Sequence, residues 1–171
     1  MKNKVAVRTV IGLTILGGIA AGMSGVQAAS TSANLSLTAS VANNCTIATS
    51  AVAFGSYDPV VAHAAADLDG AGQVTIACTK GAAATIGLDL GSNAAVTTRR
   101  LSDGVSSFLT YELYTDVARA DVWGDAAPDL FTPAVAPSKV ARSFSVYGRI
   151  PSNQDVPAGA YTDTVVATVN F

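Results

Sequence analysis

Tyr161-Thr-Asp-Thr-Val-Val-Ala-Thr-Val-Asn-Phe171 is the stretch on which the fold turns. Val165, Ala167, Val169 and Phe171 share one face, and Thr164, Thr168 and Asn170 fall on the other. That alternation marks a half-buried β-strand. A hydrophobic strand placed last has no successor to cover its outer edge, and an unpaired edge is a liability. What pairs with it is the question the sequence sets.

Just upstream, Asp155-Val-Pro-Ala-Gly159-Ala-Tyr161 puts a glycine two residues before a tyrosine at a corner entering a long strand. This is similar to the tyrosine corner of immunoglobulin-like sandwiches, which introduces the sixth strand, with a seventh to follow. No seventh follows here, while a strand is in surplus at the other end. In Ser32–Val41, residues Ala33, Leu35, Leu37, Ala39 and Val41 share one face, and Asn34, Ser36, Thr38 and Ser40 share the other. The expectation is all-β: an incomplete immunoglobulin-like β-sandwich lacking its last strand, with an N-terminal donor strand over residues 29–41 and the sandwich itself over 42–171. The missing strand leaves a groove, walled by Val165, Ala167, Val169 and Phe171. Each large donor side chain buried there contributes roughly 1.5–3 kcal/mol. Strand addition by a neighbouring copy fills the gap, and head-to-tail contacts that do not close make fibres. Donor register stays open, because slips of two residues keep the same face inward. A rival reading folds the donor back as an edge strand of its own domain through an Asn43-Asn44 turn.

Between the two ends, short strands recur between turns. Cys45–Ile47 and Val52–Tyr57 read as separate short strands, and Val60–Gly72 reads as an Ala-, Asp- and Gly-rich loop. Gln73–Cys78, Ala84–Leu90, Leu101–Gly104, Phe108–Tyr114 and Ser143–Ile150 follow, with Asp125–Pro137 and Pro151–Ala158 as loops. No window outside the first residues carries a sustained helical apolar pattern, which points to an antiparallel sandwich or barrel.

Residues 1–28 read as a secretory signal peptide. Lys2, Lys4 and Arg8 precede an apolar run, and Val26-Gln27-Ala28 gives a small-residue cleavage site. The apolar run is short and broken by Gly17, Gly18 and Gly22, so the mature chain is expected to have no integral membrane segment. The leader takes 3 of the 10 basic residues and none of the 12 acidic ones, so the mature charge is 7 − 12 = −5. That argues against nucleic acid as a partner. In an exported chain, the only two cysteines, Cys45 and Cys78, read as one disulfide. It closes a loop of about 34 residues, worth roughly 3.5–4 kcal/mol in the chain-entropy picture.

Several motifs together resemble one family. They are Ala33-Asn-Leu-Ser-Leu-Thr-Ala-Ser-Val41 leading into Asn43-Asn-Cys-Thr-Ile47, then Phe54-Gly-Ser-Tyr57 and Val74-Thr-Ile-Ala-Cys-Thr79. Arg99-Arg-Leu-Ser102, Leu109–Tyr114, Val122-Trp-Gly124, Val146-Tyr-Gly-Arg149 and Pro157–Phe171 complete the set. The chain resembles the spore coat protein U domain family, and within it the major subunits of archaic, Csu-type chaperone–usher pili. That resemblance implies an exported surface fimbrial subunit serving attachment and biofilm formation. Its partners would be its own copies, a periplasmic chaperone that first holds the closing strand, and an outer-membrane usher. The alternatives are a secreted spore-coat-like or matrix protein, or a single-domain adhesin, with the same fold.

Chemistry is poorly supported. His63 lies outside any triad signature, and no G-x-S-x-G elbow occurs. Two cysteines and a distant histidine are too few for zinc, and Asp67, Asp69 and Gly70 lack the rest of a calcium loop. No cofactor and no enzymatic activity are expected. Trp123 reads as a packing residue, His63 as a surface residue, and Arg99-Arg100 as a solvated sheet edge.

Overall fold

The computed structural model describes residues 27–171. All but the end of the expected leader therefore lies outside the described residues. The chain divides after Ala39 into two units. In the first, residues 27–39 form no strand and are exposed, Leu35 at 83% and Leu37 at 82%. Alternation over Ala33–Val41 predicts a strand, but a strand needs a ladder partner, and residues 27–44 enter no ladder in the single chain.

The second unit is all-β. Its strands are β1 (Cys45–Ala53), β2 (Leu68–Cys78), β3 (Thr85–Leu88), β4 (Arg99–Ser102), β5 (Phe108–Tyr114), β6 (Arg142–Ile150) and β7 (Ala167–Asn170). A five-stranded sheet runs β1-β2-β6-β5-β4, and β3 pairs with β7 in a second, two-stranded sheet. All pairings are antiparallel. The inward residues of both sheets meet in one core that includes Val74, Ile76, Ile86, Leu113, Val146 and Ile150. Short β4 makes the closing strand seventh in the count rather than sixth. No helix among the described residues is long and apolar enough to cross a membrane.

β5 follows its alternation, with Leu109, Tyr111 and Leu113 buried. Further segments differ from expectation. Cys45–Ile47 and Val52 belong to one strand, because a register shift between Ser50 and Ala53 absorbs the break in pattern. β2 starts at Leu68, inside the stretch read as a loop. The cause is Phe54, whose ring lies across the sheet. Gly70 and Gly148 are cross-strand partners. A Cβ at Gly70 would meet Phe54 Cδ1 at 2.8 Å, and one at Gly148 would meet Cζ at 2.6 Å. The glycines therefore leave bare backbone beneath an aromatic ring and do not mark a turn.

Arg99 is also corrected. It is 1% exposed, on the inward side of β4, and solvates no edge. Arg100 does lie at the surface side, with its guanidinium over the Phe108 ring.

Candidate functional site: an open groove beside the closing strand

The backbone ladder shows which edge of the closing segment is free. β7 pairs with β3 from Thr85↔Asn170 to Leu88↔Ala167. Upstream, Asp89 N donates to Val166 O at 3.1 Å and Ser92 N to Thr164 O at 3.0 Å. Ser102 and Thr162 exchange both amide bonds at 2.9 Å. Even-numbered residues thus direct their backbone groups toward β3 and β4. By the antiparallel pattern, Asp163, Val165, Ala167 and Val169 direct theirs the opposite way, where no strand is hydrogen-bonded to them among the described residues and β1 is the neighbouring strand.

β1 presents a matching edge. Asn44 O accepts from Thr79 N at 2.8 Å, and the register continues through Thr46↔Ala77 and Ala48↔Thr75. Cys45, Ile47 and Thr49 consequently turn their backbone groups away from β2, at the outer edge of the five-stranded sheet.

Between these two edges lies a groove. One part, of about 280 Å³, is lined by Val52, Phe54, Leu88, Leu101, Tyr111, Leu113, Val165 and Ala167. An adjoining hollow of about 920 Å³ is lined by Phe54, Leu101, Leu109, Ile150, Val156 and Tyr161. Asp163 borders both. Val165, Ala167 and Val169 face inward yet remain only half-buried, so apolar surface that a complete sandwich would cover stays open.

Polar groups hold the groove's wall in place. Asp163 Oδ2 accepts from Tyr111 Oη at 2.7 Å, and its Oδ1 accepts from Asn93 N at 3.1 Å and Asn93 Nδ2 at 3.0 Å. Burial, and then the Asp163 carboxylate, push the Tyr111 hydroxyl above its ordinary range. Gly91, at φ +83°, is the only residue type that fits here, since a Cβ would lie 2.0 Å from Asp163 Oδ2. Asp89 Oδ1 accepts from Gly91 N and Val166 N, both at 2.9 Å. Arg99 clamps the same corner from within. Its Nη2 donates to the carbonyls of Leu88 at 2.7 Å, Asp89 at 2.8 Å and Trp123 at 2.8 Å, and Nε donates to Asp89 O at 3.0 Å. Nη1 pairs with Glu112.

The remaining residues singled out in the sequence lie around this groove or apart from it. A disulfide joins Cys45 to Cys78 across facing positions of β1 and β2. Tyr161 Oη donates to Pro157 O at 2.9 Å, closing the corner, while Gly159 is exposed. Phe171 lies past β7 and is exposed. Ala33, Leu35, Leu37, Ala39 and Val41 are exposed. Trp123 is fully buried and donates from Nε1 to Ile86 O at 2.9 Å. His63 is half-buried, stacked on Tyr57, with Nδ1 accepting from Asp58 N at 3.0 Å. Asp69 pairs with Arg149 and Arg119, and Asp67 with Arg149. Asp163, Asp89 and Arg99 are the members that pattern reading passes over. Arg99 shares its parity with Leu101, and Asp163 shares its parity with Val165, which is the signal that puts each on the inward face.

The chain is similar to known proteins in sequence and in fold. The Spore Coat Protein U domain family matches residues 31–168. Protein U of Myxococcus xanthus is 37% identical over 183 residues, covering 97% of this chain and 99% of that protein. Among solved structures, the chain is similar to one in the CsuC–CsuE chaperone–tip adhesion subunit pre-assembly complex, from the archaic chaperone–usher Csu pili of Acinetobacter baumannii. The TM-score is 0.55 at 21% identity, over 77% of this chain and 40% of that one. At that identity the likeness is one of fold.

Proposed function

The chain belongs to the Spore Coat Protein U domain family, and from that premise we propose that it is a structural subunit that polymerises by donor-strand complementation into a surface pilus. Residues 29–41 of one copy enter the groove of the next, with Ala33, Leu35, Leu37, Ala39 and Val41 turned inward. The mature chain begins after a leader ending at Ala28. A periplasmic chaperone holds the closing strand first, and an outer-membrane usher exchanges it for the next copy. The function is attachment and biofilm formation through binding, with no chemistry performed.

One observation carries the reading: the groove between β1 and the closing strand, with open backbone edges on both sides and apolar walls. An extended, alternating segment is the shape that fills it. The exposure of Leu35, Leu37 and Val41 supports the same view. Family membership and the 37% identity to Protein U favour a second reading, a secreted coat or matrix protein of the same fold.

Unboiled denaturing gels of surface preparations separate the two. A polymer gives a ladder that collapses to monomer on boiling. The double variant Leu35→Asp, Leu37→Asp should lose the ladder while keeping Cys45–Cys78 oxidised. A lone monomer band from the native chain refutes the polymer and leaves the coat reading.

A further inference from the structure

The groove is not uniform along its length. Asp163 sits between its two hollows, carboxylate inward, surrounded by Tyr111, Asn93 and Gly91. Ala167, two inward positions further along the same face, is the smallest wall residue. These two positions break the equivalence of two-residue slips that the donor's own alternation allows.

Resting on the donor-strand reading above, we propose that Asp163 and Ala167 fix the register of the incoming strand: Leu37 of one copy lies opposite Val165 of the next, and Leu35 opposite Ala167. An added strand antiparallel to the closing one then sets Ala39 opposite Asp163, Val41 opposite Tyr161 and Ala33 opposite Val169. The five inward donor residues then meet the inward positions from Tyr161 to Val169, and Phe171 lies beyond the paired span. The longest donor side chains enter the part of the groove lined by Leu88, Leu101 and Leu113. The methyl of Ala39 leaves the Asp163 carboxylate its hydrogen bonds and its access to water.

Each slip loses on both counts. Shifting one way puts Leu37 over Asp163, stripping solvent from a carboxylate, and sets Ala33 against Ala167, leaving a void. Shifting the other way puts Val41 over Asp163 and leaves Ala39 against Val165. Asp163 is therefore a specificity-determining residue that takes a small side chain from its partner.

The outward faces provide the test. Val166, Thr164 and Thr168 are exposed, as is Ser36. In the proposed register Ser36 faces Val166 as a non-hydrogen-bonded pair, whose close Cα spacing suits a disulfide. Cys45–Cys78 already bridges such a pair, with a Cα separation of 4.1 Å. Full-length double variants S36C/V166C, S36C/T164C and S36C/T168C would be exported by cells and run boiled without reductant. Only S36C/V166C is expected to give a boil-resistant ladder, lost on reduction. A covalent ladder from the T164C or T168C partner overturns the register while leaving strand exchange standing. The register is overturned equally if none cross-links although unboiled ladders persist. Absence of unboiled ladders in the unsubstituted chain overturns strand exchange itself. Adding Asp163→Ala should extend cross-linking to S36C/T164C, and continued restriction to V166C removes Asp163 from the role.

Discussion

Replacing Arg99 by Met keeps most of the aliphatic bulk at the corner and deletes every donor. Three carbonyls lose their guanidinium partner: Leu88, Asp89 and Trp123. The bonds to Leu88 and Trp123 are buried. An orphaned buried group costs about 1–3 kcal/mol, and breaking a buried ion pair by removing one partner costs about 3–5 kcal/mol. Glu112 is left behind, its side chain 28% exposed, so water recovers part of its charge. The net expectation is a loss of about 3–5 kcal/mol, a large share of the roughly 5–15 kcal/mol that holds a domain together. Trp123 is the only tryptophan and is fully buried, so its fluorescence reports unfolding directly in a urea titration. Arg99→Lys should recover less than half, since an ammonium cannot make the planar fork. Glu112→Gln, which keeps an acceptor for Leu113 N, should cost less than either. If Arg99→Met lowers stability by less than about 1 kcal/mol, the clamp has been misjudged and the corner is held by packing alone.

Two further outcomes follow from named contacts. Gly148→Ala drives a Cβ to within 2.6 Å of Phe54 Cζ and 2.9 Å of Val52 Cγ1, so it should destabilise by about 1–3 kcal/mol; in a Phe54→Ala background most of that loss should vanish, and an undiminished loss in the double-mutant cycle refutes the contact. Acid stability should fall on one side only. The amide of Val105 holds the Asp103 carboxyl below its ordinary value, the amide of Asp121 does so for Asp116, that of Val60 for Asp58, and the Arg149 guanidinium for Asp69. A folded pKa below the unfolded one contributes stability above about pH 4 that is lost as pH drops through the folded value. The urea midpoint should therefore hold between about pH 5 and 7 and decline below about 4, and Asp103→Asn should flatten that decline.

Strands with a solvated face and a core face were legible from alternation: β5 and β6 appear where Leu109, Tyr111, Leu113, Val146 and Ile150 place them. Alternation fails where an aromatic ring crowds the backbone of the sheet. Phe54 demands Gly70 and Gly148 beneath it, and glycine clusters carry the composition of a turn. Charge misleads in the same way at Arg99, which is buried because carbonyls, not water, surround it. The closing strand was legible by face but not by extent. Asp89, through its carboxylate, and Ser92 and Ser102, through their backbones, take over from the regular ladder along Thr162–Val166, so only Ala167–Asn170 pairs as a continuous strand. Asp163 could be assigned to the inward face by parity, but its cradle of Tyr111, Asn93 and Gly91 is assembled from three distant stretches and has no local signature.

On the fibre reading, the disulfide acquires a mechanical meaning. Only Ala42, Asn43 and Asn44 separate the donor's last inward residue from Cys45, a tether of at most ~14 Å. Tension between neighbours therefore arrives at the first residue of β1. Within its own chain that strand is bonded on one flank only, and a pull on its leading end would unzip that ladder rung by rung. Cys45 sits at that leading rung, and its bridge to Cys78 passes the force into β2, which is paired to both β1 and β6. A peeling geometry becomes a shearing one, in which many hydrogen bonds must yield together, and the weakest strand of the sheet is relieved of the pull.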